Sequence, residues 1–256
     1  MARKNRKQLF KNLTLARVIP NLATLSALLV GFTQVRFALD EQWEYAVISV
    51  IAAAFLDATD GRLARLFNSC SRFGAELDSL SDFAVFGLCP AIVMYLYSLS
   101  HLGRAGWAAS IFFAACMGLR LARFNTCDIE NIKTPLSGKF FTGVPAPAGA
   151  ILALFPIILF NAFGLDLFRN PYLCITDITI AGLLCISKFP TISIKKFHIR
   201  KDQYLPFLLS MVIVIVMVFM YTWKALSLFV LSYIVSIFIC SRMAKRTLHH
   251  DKELAH

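Results

Sequence analysis

Eight long apolar runs, separated by short polar or basic stretches, constrain this chain more than any other feature it has. They lie near residues 19–39, 43–65, 75–99, 105–126, 144–164, 173–189, 204–222 and 224–241. A helix needs about 20 residues to cross a hydrocarbon core ~30 Å thick, and the runs are close to that length, the sixth being the shortest. They are continuous rather than alternating, which argues against a membrane β-barrel. Lipid offers peptide groups no partners, so each run must satisfy its own backbone as a helix. The expected fold is all-α: a polytopic membrane helical bundle of about eight transmembrane helices. Composition agrees, with 58% hydrophobic residues, 23 phenylalanines and a mean hydropathy of +0.66, beyond the range of ordinary soluble domains.

The charges between the runs orient the bundle. With the N-terminus inside, 22 of the 26 lysines and arginines fall on the cytoplasmic side. Only Arg36, Arg104, Arg169 and Lys224 lie outside, where Asp40, Glu41 and Glu44 also fall. This positive-inside bias puts both termini in the cytoplasm, and Trp43, Trp107 and Trp223 then mark the outer interface. The chain is expected to be a multi-pass protein of a bacterial inner membrane. Residues 1–17 hold six basic residues and no acid, with no small-residue cleavage site of a signal peptide. Leu9, Phe10 and Leu13 could line one side of a short interfacial helix there. The seven cysteines are scattered and most fall in apolar runs, and the five histidines form no metal-binding spacing.

Against this background, residues 57–82 stand out: DATDGRLARLFNSCSRFGAELDSLSD. Four carboxylates sit between apolar stretches, and intramembrane carboxylates are costly and commonly functional. On a helix, Asp57, Asp60, Gly61 and Ala64 share one face at i, i+3, i+4 and i+7. Asp78 and Asp82 are one turn apart on a following helix. Antiparallel packing of the two helices across the basic turn would let all four carboxylates converge. Such a cluster demands neutralisation, and oxygen-only ligands suit a hard divalent ion, Mg²⁺ or Mn²⁺. A purely structural alternative would pair the carboxylates with Arg62, Arg65 and Arg72.

The spacing D-x2-D-G-x2-A-R-x8-G-x3-D-x3-D is filled at every position and resembles that of the CDP-alcohol phosphotransferase family. The resemblance covers roughly residues 15–165 and implies a cytoplasm-facing active site. In it, Asp57, Asp60, Asp78 and Asp82 would hold two divalent ions against the pyrophosphate of CDP-diacylglycerol. Asp82, the last carboxylate, would also be the general base. The CDP-lipid contacts would include Asn21 and Thr24, near a helix start at Pro20, with Asp60, Gly61, Ala64, Arg65, Arg72 and Gly74. Small residues at Gly61 and Ala64 let the nucleotide approach the helix backbone.

Two further stretches, RLARFN at 120–125 and KFFTGVPAPA at 139–148, together look like the phosphatidylserine synthase branch of that family. That implies L-serine as acceptor, with phosphatidylserine and CMP as products. Arg120, Arg123, Phe124, Asn125 and Lys139 are then the serine-binding candidates, the arginines through bidentate contacts to the carboxylate. Two other readings remain: a phosphorylated acceptor such as glycerol 3-phosphate or inositol phosphate, and a divalent-cation transporter. The transporter fits poorly, since the four carboxylates lie toward one membrane face and later runs carry no matching acidic sites. The expected organisation is a single domain. A basic arm (1–17) precedes a catalytic core (18–165), additional membrane helices (166–241) and a polar tail (242–256). Membrane lipids are its surroundings, a homodimer its expected state, and nucleic acid no partner.

Overall fold

This computed structural model describes residues 2–66, 71–129, 140–142, 144–187, 190–192 and 221–236. Among these, the side chains of 2–17, 19, 63–66, 72, 127–129, 140–142 and 190–192 are not described. Helix α1 (Ala2–Leu39) and helix α2 (Trp43–Leu66) form an antiparallel hairpin packed along much of its length. The turn between them places Glu41 in the left-handed region (φ 58°). It closes with Gln42 N–H donating to the Phe37 carbonyl (2.8 Å) and an Arg36–Asp40 ion pair (3.1 Å).

The helix start expected at Pro20 is not where the structure begins a helix. α1 runs through the proline from Ala2. The ring removes one backbone donor, and Thr24 Oγ1 adds a bond to the Pro20 carbonyl one turn on (3.1 Å). A single lost bond, with the turns on either side intact, does not end a helix of 38 residues.

Helix α3 (Arg72–Asp82) passes without a break into a π-helical turn, Phe83–Leu88, and on into α4 (Cys89–Tyr97). The wider turn is visible where Cys89 N–H donates to the Ala84 carbonyl five residues back. It is held from α1: Gln34 Nε2 donates to both the Gly31 carbonyl (2.7 Å) and the Val85 carbonyl (3.0 Å). The approach is close, since a Cβ on Gly31 would stand 2.4 Å from Val85 Cγ1. Helix α5 (Arg104–Ile129) follows, then α6 (Ala146–Ala153) and α7 (Phe155–Phe163), which are bent by 53° at Leu154. Helix α8 (Pro171–Ile186) packs along α5, and α9 (Thr222–Ser236) sends Val230 into the same core.

Among the described residues, three helices are long and apolar enough to cross a membrane: Pro20–Leu39, Phe73–Tyr97 and Arg104–Thr126, with the bent α6–α7 pair as a fourth. α2 is 24 residues long but carries Glu44, Asp57 and Asp60. The run expected at 204–222 lies outside the described residues up to its last two. One feature departs from an all-α fold. Strands β1 (Phe140–Thr142) and β2 (Pro190–Ile192) pair antiparallel, with Phe141 opposite Thr191. Arg123 near the end of α5 bonds to the Ile186 carbonyl at the end of α8, so the two helices end close together and the strands that follow them can pair.

Candidate functional site

The site lies where α2 ends and α3 begins. Ser71 caps α3 by accepting from the Gly74 N–H (3.0 Å), and α3 then doubles back along the hairpin. The two carboxylate pairs are thereby brought together from two helices. One carboxylate oxygen from each of Asp57, Asp60 and Asp78 lies within 4.8 Å of the other two. Asp82 reaches the same cluster, its side chain meeting that of Asp57. It occupies the last α-helical position before the π turn, so the register change at Phe83 separates the carboxylates from the apolar helix beyond.

Asp60 is buried, and its Oδ2 has no hydrogen-bond partner among the described residues. A buried, unpaired carboxylate oxygen beside two further carboxylates is strongly unfavourable unless a cation completes the set. The only ion pair among the described residues is Arg36–Asp40, so Arg62 does not pair with these aspartates; the side chains of Arg65 and Arg72 lie outside the described residues. The donors are oxygens alone, in a cluster the size of one coordination sphere, and therefore fit a hard divalent cation.

The residues expected around the nucleotide divide into two groups. Asn21 stands against the motif: a Cβ on Gly74 would meet Asn21 Oδ1 at 3.1 Å. Thr24 is buried beside the Asp60 carboxylate, and Gly61 is exposed one position on. The side chains of Ala64, Arg65 and Arg72 lie outside the described residues, and so does Lys139.

The remaining acceptor candidates have different hydrogen-bond partners. Arg120 Nε donates to the Val144 carbonyl (2.5 Å), and its guanidinium lies within electrostatic reach of Asp82. Arg123 instead closes the end of α8, with Nη1 donating to the Ile186 carbonyl (2.8 Å). Asn125 Nδ2 donates to Ser79 Oγ on α3 (2.9 Å), and the Phe124 ring is exposed. Arg120 and Arg123, at i, i+3, share a face and act on each other electrostatically, while Asn125 lies well round the helix from both. Gln34, which holds the π turn behind Asp82, was not marked by the motif. Its signal is a lone uncharged amide within an apolar run, a residue type that stays in a membrane helix where it binds another helix.

A family model described as CDP-alcohol phosphatidyltransferase matches residues 17–187. Among curated proteins, the chain is 37% identical over 182 residues to a CDP-diacylglycerol–serine O-phosphatidyltransferase of Mycobacterium leprae, covering 71% of this chain and 59% of the relative. A protein of the same name from Mycobacterium tuberculosis is 36% identical over 182 residues, 71% of this chain and 62% of the relative. One from Helicobacter pylori is 33% identical over 220 residues, covering 85% of this chain and 88% of the relative. The chain thus spans about three fifths of the mycobacterial relatives' length and most of the Helicobacter one.

Proposed function

The chain belongs to the CDP-alcohol phosphatidyltransferase family, and from that premise we propose that it transfers the phosphatidyl group of CDP-diacylglycerol to L-serine, releasing phosphatidylserine and CMP. The observation that carries the reading is the convergence of Asp57, Asp60 and Asp78 within 4.8 Å, with Asp82 against Asp57. The relatives' name supports serine as the acceptor, and so does the pairing of RLARFN with FFTGVPAPA.

In this mechanism the serine hydroxyl oxygen forms a new bond to the phosphatidyl phosphorus, and the bond from that phosphorus to the CMP oxygen breaks. Asp57, Asp60, Asp78 and Asp82 would hold two divalent ions, Mg²⁺ or Mn²⁺, which supply neutralisation of the pyrophosphate and of the leaving CMP. Asp82 takes the hydroxyl proton as general base. Asn21, Thr24 and Gly61, with Ala64, Arg65, Arg72 and Gly74, form the nucleotide side. Arg120 is the carboxylate-binding residue of the acceptor side. Arg123 and Asn125 act on that side indirectly, through their bonds to Ile186 and Ser79.

The basic residues between the apolar runs support eight spans, with both termini and the motif facing the cytoplasm of a bacterial inner membrane, where CDP-lipid is made available. A homodimer belongs to the same reading, and cross-linking in native membranes would read it directly. The acceptor is tested by offering serine, glycerol 3-phosphate and inositol phosphate together with CDP-diacylglycerol and weighing the lipid product. Phosphatidylserine is the expected product. A phosphatidylglycerol phosphate or phosphatidylinositol phosphate in its place would move the chain to another branch of the family.

A further inference from the structure

The C-terminal helix α9 lies beyond the residues matched by the family model, yet one of its side chains reaches the acceptor side of the site. Tyr233 packs its ring against the core, while its hydroxyl is buried and has no hydrogen-bond partner among the described residues. The Arg120 guanidinium acts electrostatically on that hydroxyl, as does the Cys185 thiol of α8. Arg120 also acts electrostatically on Asp82, and commits only its Nε to the Val144 carbonyl. Its two terminal nitrogens make no hydrogen bond among the described residues, so they remain as donors toward this space.

A phenylalanine would pack here as well as a tyrosine, and the chain uses 23 phenylalanines. The added hydroxyl carries a cost when it is buried without a partner. That cost is offset if the hydroxyl meets a polar group absent from the protein itself. Arg120 acts electrostatically on both Asp82 and Tyr233, an arrangement that suits a small acceptor carrying a hydroxyl and an anionic group.

We infer that Tyr233 is a positioning residue of the acceptor subsite, its hydroxyl donating to the acceptor's anionic group alongside the terminal nitrogens of Arg120. This rests on the transferase reading above. With serine, the carboxylate would be held by Tyr233 and Arg120 while the hydroxyl is presented to Asp82. The C-terminal helix then forms part of the active site, in addition to filling the membrane.

The test is Tyr233→Phe in the full-length purified protein, with CMP release followed while serine and CDP-diacylglycerol are varied separately. Loss of a hydrogen bond to an ionised group corresponds to roughly tenfold or more in affinity. The KM for serine should therefore rise about tenfold, with kcat and the KM for CDP-diacylglycerol within twofold of wild type. Trp223→Phe, at the other end of the same helix, should alter neither KM, which separates the hydroxyl from the general seating of α9. A serine KM within twofold of wild type, or an equal rise in both KM values, overturns the inference. If wild-type protein releases CMP with another acceptor and not with serine, the choice of serine fails. Tyr233→Phe is then read on that acceptor: a selective rise in its KM supports the role of Tyr233, and no rise overturns it.

Discussion

Replacing Gly31 by alanine tests how the site is held. Gly31 faces the π turn that begins one residue after Asp82. A Cβ there would stand 2.4 and 2.7 Å from the two methyls of Val85 and 3.0 Å from its Cβ. Val85 is 1% exposed and β-branched, so it cannot rotate out of the way, and either α1 or the π turn must shift. Overpacking of this kind costs about 1–3 kcal/mol. The shift would also strain the Gln34 bond to the Val85 carbonyl and move Asp82 relative to Asp57. Val85→Ala removes both methyls and leaves only the 3.0 Å contact. In that background Gly31→Ala should be less costly, with a coupling of about 1 kcal/mol or more. The assay is the monodisperse fraction surviving a heat series in detergent, with CMP release measured on the unheated samples. Gly31→Ala should unfold at lower temperature and turn over more slowly, and Val85→Ala should recover part of the stability loss. A Gly31→Ala protein as stable and active as wild type would refute the close packing of α1 on the π turn. A penalty unchanged by Val85→Ala would refute its assignment to Val85.

Asp82→Asn should keep its affinity for CDP-diacylglycerol in the presence of metal while serine-dependent turnover falls by about 10²–10⁴-fold, whereas Asp60→Asn should lose donor binding as well. Equal loss of donor binding in the two variants would make Asp82 chiefly a metal ligand. In a background without native cysteines, Asn68→Cys should be labelled only from the cytoplasmic side and Glu41→Cys only from the outside. The reverse pattern would separate the motif from its nucleotide supply.

The carboxylate cluster was legible because it depends on local spacing. Asp57 and Asp60 share a helix face, Asp78 and Asp82 share another, and a short connection leaves them little choice but to meet. The long apolar helices Pro20–Leu39, Phe73–Tyr97 and Arg104–Thr126 follow from hydropathy in the same way. What lay beyond the sequence depends on partners far along the chain. The π turn at 83–88 is fixed by Gln34, some 50 residues earlier, and no periodicity within 83–88 marks it. Pro20 reads as a helix start because apolar residues begin there, yet one missing donor is absorbed within α1. Arg120, Arg123 and Asn125 look like a single polar patch in sequence, but they turn to Val144, Ile186 and Ser79 respectively. The β1–β2 pair joins connections 50 residues apart in register, which neither segment announces alone.

The central claim is that the four carboxylates run a metal-dependent transfer to serine. It is tested most directly by CMP release from purified protein after exhaustive chelation and then titration with Mg²⁺ or Mn²⁺, each with and without serine. No release is expected after chelation, with restoration by one of the two ions and dependence on serine throughout. Asp57→Asn and Asp78→Asn, still monodisperse in detergent, should remain inactive at every metal concentration. Undiminished serine-dependent release after chelation would contradict it.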